Sequence, residues 1–244
     1  MDVIARLDAV VDDFNKRCRF YQTPMTRERA EMFVRQHRLN TRQRNSVHKL
    51  AVAINTPHWD IKMRIIGGSA QELIADNEFG HGKAHWEILE DLGVAIGMNR
   101  DEIRAATPLP STQLCWLAWE TLTKNRHWLE GLMANTCAER SNVPGYGNGR
   151  QRVVGWSGVQ RDEWRALFGL TDEQLAFWGI HTEADIDHSN LGWQTVAKYA
   201  EELNMVDQVV EACRINLIVW ENYFNGIGDA ADALAAGKPL AGVS

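Results

Sequence analysis

The chain has 244 residues, 45% of them hydrophobic and 24% charged, and a formal net charge of −6. That length buries one large core or two small ones, and so ordinary a composition excludes a disordered or fibrous chain. The acidic balance argues against a nucleic-acid binder, which needs a basic face, and no apolar run approaches the roughly eighteen residues of a membrane span.

The first stretch, residues 2–18, places Val3, Ile4, Leu7, Val10, Val11 and Phe14 on one stripe at helical spacing. Thr26, followed by Glu28 and Arg29, caps a second predicted helix carrying Ala30, Met32, Phe33 and Val34. A third begins at Thr41, with Val47, Leu50, Ala51 and Ile54 expected inward. Thr56-Pro57 reads as the start of a fourth, with Trp59, Ile61, Ile65 and Ile66, which Gly67-Gly68 should interrupt or bend. Ser69 to Phe79 is expected to continue helically as far as Gly80-His81-Gly82. Residues 84–97 form another amphipathic helix closed by Gly97.

Past a short turn at 100–106 and Pro108-Leu-Pro110, Ser111 or Thr112 caps a long apolar helix expected to reach about Glu139. Leu114, Leu117, Leu122, Trp128, Leu129 and Leu132 lie on it. Val143 to Gly158 is rich in glycine. With no Gly-Lys-Ser/Thr and no preceding strand, it is not a phosphate loop but a connection or lid. Thr171-Asp-Glu-Gln174 is a capping box opening a helix that runs to about Glu202. A last helix covers 205–225, and the Ala/Gly-rich tail after about 226 is expected to be loosely held. No alternating strand and no repeat occurs. The chain reads as one all-α bundle of about seven to eight helices, a single domain over 1–244.

The four cysteines, Cys18, Cys115, Cys137 and Cys213, are far apart and form no Cys-x-x-Cys. With an N-terminus unlike a secretory leader, they read as reduced thiols of a cytoplasmic protein. Ten tryptophans suit a rigid aromatic core or a pocket that excludes water.

Candidate ligands cluster on one helix. His181, Asp185 and His188 fall at i, i+4 and i+7, so two imidazoles and a carboxylate project from one face. Nitrogen and oxygen ligands in this mix suit first-row metals, iron among them. Glu78 and His85 are two helical turns apart if Gly80-His81-Gly82 stays helical, and Glu139 ends the long apolar helix. The six supply three carboxylates and three imidazoles, enough for two Fe(II) whose four positive charges are then largely offset. His81 rivals His85, because Glu78-x-x-His81 is a spacing found in carboxylate di-iron bundles. Glu72 and Asp76 offer a spare or mobile carboxylate.

The run His85-Trp-Glu-Ile-Leu-Glu-Asp-Leu-Gly-Val-Ala-Ile-Gly-Met-Asn-Arg-Asp-Glu-Ile-Arg-Ala-Ala-Thr-Pro-Leu-Pro110 resembles the haem-oxygenase-like superfamily that includes thiaminase II and the pyrroloquinoline-quinone synthase. Within it, Glu78-x6-His85, Glu139 and His181-x3-Asp185-x2-His188 resemble the ligand pattern of the haem-oxygenase-like di-iron oxidases, over about residues 70–225. The resemblance implies a haem-oxygenase-like bundle in which Glu78, His85, Glu139, His181, Asp185 and His188 hold two Fe(II) per subunit; the place of Glu139 on the helix between the two ligand pairs makes it the expected bridge. It favours His85 over His81. O2 is the implied co-substrate, activated as a peroxo-di-iron(III) species, with an external electron donor and a homodimer as the implied partners.

Members of that group include N-oxygenases, a fatty-acid decarboxylase, an amino-acid-fragmenting desaturase and a self-sacrificing aminobenzoate synthase. The expected substrate is a small amine or amino-acid-like metabolite of a biosynthetic pathway, with N-oxygenation favoured because tryptophans suit a compact substrate. The alternatives are oxidative C–C cleavage or decarboxylation at the same site, a metal-free thiaminase-II-like hydrolase, and a helical binding protein with incidental histidines. Thiaminase II relies on a cysteine nucleophile, and no cysteine here is placed to match it. The spacing from Glu139 to His181 is longer than the family pattern, owing to the glycine-rich insert.

Overall fold

The computed structural model of the chain describes residues 2–78 and 80–238, without the side chains of residues 135, 183–185, 187 and 188. In order the helices are α1 (Val3–Arg17), α2 (Arg19–Gln22), α3 (Arg27–Gln43), α4 (Leu50–Asn55), α5 (Trp59–Leu73) and α6 (His85–Ala95). There follow α7 (Arg100–Ala105), α8 (Pro110–Lys124), α9 (Trp128–Arg140), α10 (Gly149–Phe168), α11 (Ala176–Glu202) and α12 (Val206–Ala235). A π-helical turn, Arg44–Lys49, joins α3 to α4. Among the described residues no strand forms beyond an isolated bridge between Asp76 and Lys83, so the all-α expectation holds.

The bundle is assembled around α12, which packs on α1, α3, α8 and α9, while α11 lies along α9. Each helix turns its apolar stripe inward. On α1, Val3, Leu7, Val11 and Phe14 are buried, and on α12 the same holds for Cys213, Leu217, Trp220 and Phe224. Thr26 caps α3 by accepting a hydrogen bond from the Arg29 amide (3.3 Å), and Thr171 and Gln174 form the reciprocal pair expected of a capping box. Trp164, Trp178 and Trp193 are fully buried, and Tyr21 stacks on Trp156 at 4.0 Å. This aromatic mass sits where α2, α3, α10, α11 and α12 meet, and it forms one wall of the site described below.

Several boundaries differ from those read in the sequence. Gly67 and Gly68 do not interrupt α5, whose buried side, anchored by Ile61 and Ser69, carries it through both. The helix ends instead at Leu73; beyond it Asp76 bridges to Lys83, and His81 (φ 51°) and Gly82 (φ 79°) are left-handed. Helical continuity from Glu78 to His85 is therefore absent. Thr41 does not start a helix: α3 runs through it, and Ile54, Trp59, Leu114 and Leu117 are exposed rather than inward. The long apolar helix is two, because His127 caps α9 with its imidazole and Glu130 returns the bond. An N-terminal histidine cap carries no strong signal in sequence. The final helix continues past 226 to Ala235, with Ile227 and Ala231 fully buried.

The glycine-rich stretch is mostly helix. Gly155 sits at φ 75° inside α10 and kinks it, and a Cβ there would collide with the carbonyl oxygen of Asn142. No L side chain suits both the angle and the approach. Gly155→Ala is expected to lower unfolding free energy by at least about 2 kcal/mol in a denaturant titration, whereas an unchanged midpoint would show that the kink can relax.

Candidate metal centre

His85 is the first residue of α6 and is buried. Its Nε2 lies 2.9 Å from Asp76 Oδ2, and its Nδ1 lies 3.1 Å from Glu72 Oε2, out of line for a hydrogen bond. Glu72 comes from the last turn of α5 and Asp76 from the turn that follows. The Glu78 side chain, by contrast, is exposed in that turn, where its backbone amide donates to Asp76 Oδ1. His81 is likewise exposed. The structure thus brings Glu72 and Asp76 to His85, and neither Glu78 nor His81. The chain reversal at 76–83 folds the end of α5 back over the start of α6, which reverses the ranking that an unbroken helix would give.

His181 enters from α11. Its Nδ1 lies 2.8 Å from the Phe177 carbonyl oxygen, which can only accept, so Nδ1 carries a proton and the neutral ring keeps its lone pair on Nε2. This is the arrangement in which a histidine is held ready for a metal. Its ring centroid is 5.7 Å from that of His85. Asp185 and His188 follow on α11, one and two turns further on; their side chains lie outside the described residues.

Glu139 reaches in from the end of α9 toward two cations that the sequence reading missed. Lys49 Nζ is 3.4 Å and Arg44 Nη2 3.7 Å from Glu139 Oε1, and Lys49 Nζ is 4.0 Å from Glu72 Oε1. Arg44 and Lys49 are the two ends of the π-helical turn. Its i to i+5 bonding widens the helix so that residues five apart share a side. In an α-helix they would diverge, which is why the pair was not legible in sequence.

The charges balance internally. Burial alone would lower the His85 pKa, but the Glu72 and Asp76 carboxylates raise it to about 9. Burial opposes ionisation of Glu72 too, yet His85 and Lys49 hold its carboxyl well below the usual range. His37, stacked on Phe33 at 4.6 Å, is the neutral member: burial, and then the neighbouring His181, bring it down to about 3. Because the folded His85 pKa is raised, its contribution to stability is fully present below about 6.5 and is lost as pH rises through about 9. The metal-free wild type is therefore expected to lose melting temperature between these values more steeply than His85→Gln, as thermal scans at stepped pH would read. Parallel profiles would count against the buried ion pair.

Glu72, Glu139, His181, His37 and Arg44 line a cavity of about 50 Å³, walled on the other side by Tyr21, Phe33, Trp156, Trp178, Trp220 and Phe224. Among the described residues no three ligand-type side chains already form a closed metal cage. The donors fit iron in kind: carboxylates and imidazoles face one space, the His181 ring is anchored through its Nδ1, and His85 Nδ1 has no hydrogen-bond partner among the described residues.

The chain is similar to known proteins in sequence and in fold. It is 26% identical over 201 residues to a 4-aminobenzoate synthase of Nitrosomonas europaea, covering 78% of this chain and 74% of that one. A crystal structure of a domain of unknown function with a heme oxygenase-like fold, from Shewanella denitrificans OS217, superposes with a TM-score of 0.74. The superposition covers 98% of this chain and 96% of the other at 13% identity, and it establishes the heme oxygenase-like fold. Residues 31–221, which span every candidate ligand, match the family described as iron-containing redox enzymes. With that match, the carboxylates and imidazoles gathered at the aromatic chamber have their context: the chain belongs to the iron-containing redox enzyme family.

Proposed function

We propose that the protein is a two-iron, O2-using oxidoreductase acting on a small amine or amino-acid-like metabolite. One observation carries this reading: Glu72, His85, Glu139 and His181 come from four separate helices and converge beside a chamber with an aromatic wall. In the proposed site these four act with Asp185 and His188, and Glu72 takes the place sought from Glu78. Glu139, on the helix between the other donors in sequence, would offer its carboxylate to the metal ions and offset part of their charge. Bound iron would supply electrons to oxygen and accept them from the substrate, as iron centres of this ligand class do.

The chain's own residues supply the rest. The Phe177 carbonyl fixes the His181 tautomer, and Arg44 and Lys49 hold Glu139 in position. The tryptophan wall keeps water from the reacting atoms. N-oxygenation of the amine is the leading reaction, because the small aromatic-walled space beside the donors admits only a compact nitrogen end of a substrate. Oxidative C–C cleavage of an amino acid is the second reading, favoured by Arg64 near Glu139, which has no carboxylate partner among the described residues and would hold a substrate carboxylate. The oxidoreductase draws on an external electron donor and works as a homodimer in the cytoplasm, where its four free, buried thiols stay reduced.

The test is oxygen uptake by iron-loaded protein across a panel of amines and amino acids, with products identified by mass spectrometry. A product that gains oxygen at nitrogen supports N-oxygenation, and release of CO2 supports the second reading. Oxygen uptake that no member of the panel stimulates would contradict both.

A further inference from the structure

A second cavity, of about 330 Å³, lies on the other side of Glu139, between α5, α9 and α11. Glu139 lines both spaces, so anything held in the larger one ends against a proposed iron ligand. The walls are aliphatic: Ile61 and Ile65 from α5, Leu132 from α9 and Leu191 from α11. Gly68 gives the cavity its width, since a Cβ at that position would meet nothing within 4 Å. At the far side α9 and α11 approach so closely that a side chain at Gly192 would collide with Thr136.

The charged groups on this wall are Lys49, Arg64 and Glu139, two cations against one carboxylate. Lys49 is buried and already committed to Glu139 and Glu72. Arg64 is exposed, donates one hydrogen bond to Thr195 Oγ1 (3.1 Å), and has no carboxylate partner among the described residues. An uncommitted guanidinium at the rim of an aliphatic cavity matches a planar anion at the end of an apolar body. The anion would stay partly hydrated at the rim, so its desolvation is modest while the apolar part is buried. The volume falls in the range of small-molecule sites.

We propose that this cavity is the substrate chamber and that it takes an apolar carboxylate, its anionic end on Arg64 and its far end presented at Glu139. The word substrate rests on the oxidoreductase reading; the binding preference does not. A cationic amine without a carboxylate is disfavoured, because it would meet Arg64 on the way in and Lys49 at the inner end. Under this inference the amine of the proposed reaction belongs to a molecule that also carries a carboxylate, the two separated by the length of the cavity.

The experiment is calorimetric titration of iron-free protein with octanoate, octanol and octylamine, three probes with one apolar body and different heads. Octanoate is expected to bind at least about 10-fold more tightly than either of the others, the scale of a charge-assisted hydrogen bond. Arg64→Gln is expected to reduce octanoate to the level of octanol. Gly68→Leu, which fills the chamber, should abolish octanoate binding while keeping an equal or higher melting temperature, since leucine favours a helix over glycine. Equal binding of the three probes, no binding of any, or undiminished octanoate binding in either variant would overturn the proposal. Because no iron is present, failure of the metal reading leaves this result standing, and the reverse holds as well.

Discussion

His181→Ala is expected to remove iron from the protein and to cut substrate-dependent oxygen uptake by at least about 100-fold, beyond the 10–100-fold typical of groups that only support a ligand. Its ring lines the chamber and is anchored through Nδ1 by the Phe177 carbonyl. Glu72→Ala is expected to act similarly, whereas Glu78→Ala should leave iron content unchanged, because that carboxylate lies out in solvent. Metal analysis of the three variants, loaded side by side, separates them. Loss of iron in Glu78→Ala with retention in Glu72→Ala would show that the turn at 76–83 rearranges on loading. Folding should survive in all three, since Asp76 still pairs with His85 when Glu72 is removed, Glu78 is exposed, and His181 takes part in no ion pair among the described residues.

Glu90→Ala is expected to be the most destabilising single change outside the aromatic core, costing about 3–5 kcal/mol and lowering the melting temperature by roughly 6–20 °C. Glu90 sits on α6, five residues after His85, and its side chain is fully buried. Arg38 Nε donates to it at 2.6 Å from α3, Arg104 Nε at 3.0 Å and Arg100 Nη1 at 3.2 Å from α7. Arg100 and Arg104 are partly solvated and would return to water. Arg38 is 6% exposed and would be left as an unpaired buried charge. Burial opposes ionisation of Glu90, but the Arg38 guanidinium, followed by Arg104 and Arg100, holds its carboxyl below the usual value. Its contribution is therefore present above the unfolded value of about 4.5 and is lost as pH falls through the depressed folded value. Wild type should show acid destabilisation in that window, and Glu90→Ala should show less of it. The effect reaches the site because this network fixes the helix that begins at His85.

Helical periodicity was enough to place α1 and α6, because their apolar residues recur at helical spacing, whereas α11 begins at Ala176, five residues past Thr171, whose pair with Gln174 closes the turn before it. It gave wrong partners where the backbone departs from an ideal helix. Glu78 to His85 is two turns on paper, but left-handed His81 and Gly82 reverse the chain and bring up Glu72, thirteen residues before His85 in sequence. Arg44 and Lys49 share a side because of a π-turn that no residue pattern announces. Gly155 read as part of a loose connection because its glycine neighbours suggest flexibility, yet it is fixed by close approach to Asn142. The aliphatic cavity beside Glu139 draws on three helices far apart in sequence, and only tertiary packing assembles it.

The central claim is that these carboxylates and imidazoles form a two-iron site. Anaerobic titration of metal-free protein with Fe(II), followed by metal analysis after desalting, tests it most directly. The account predicts saturation at two irons per chain, with proton release as His85 gives up its place between Glu72 and Asp76. Saturation at one iron, or no iron retained, would contradict it.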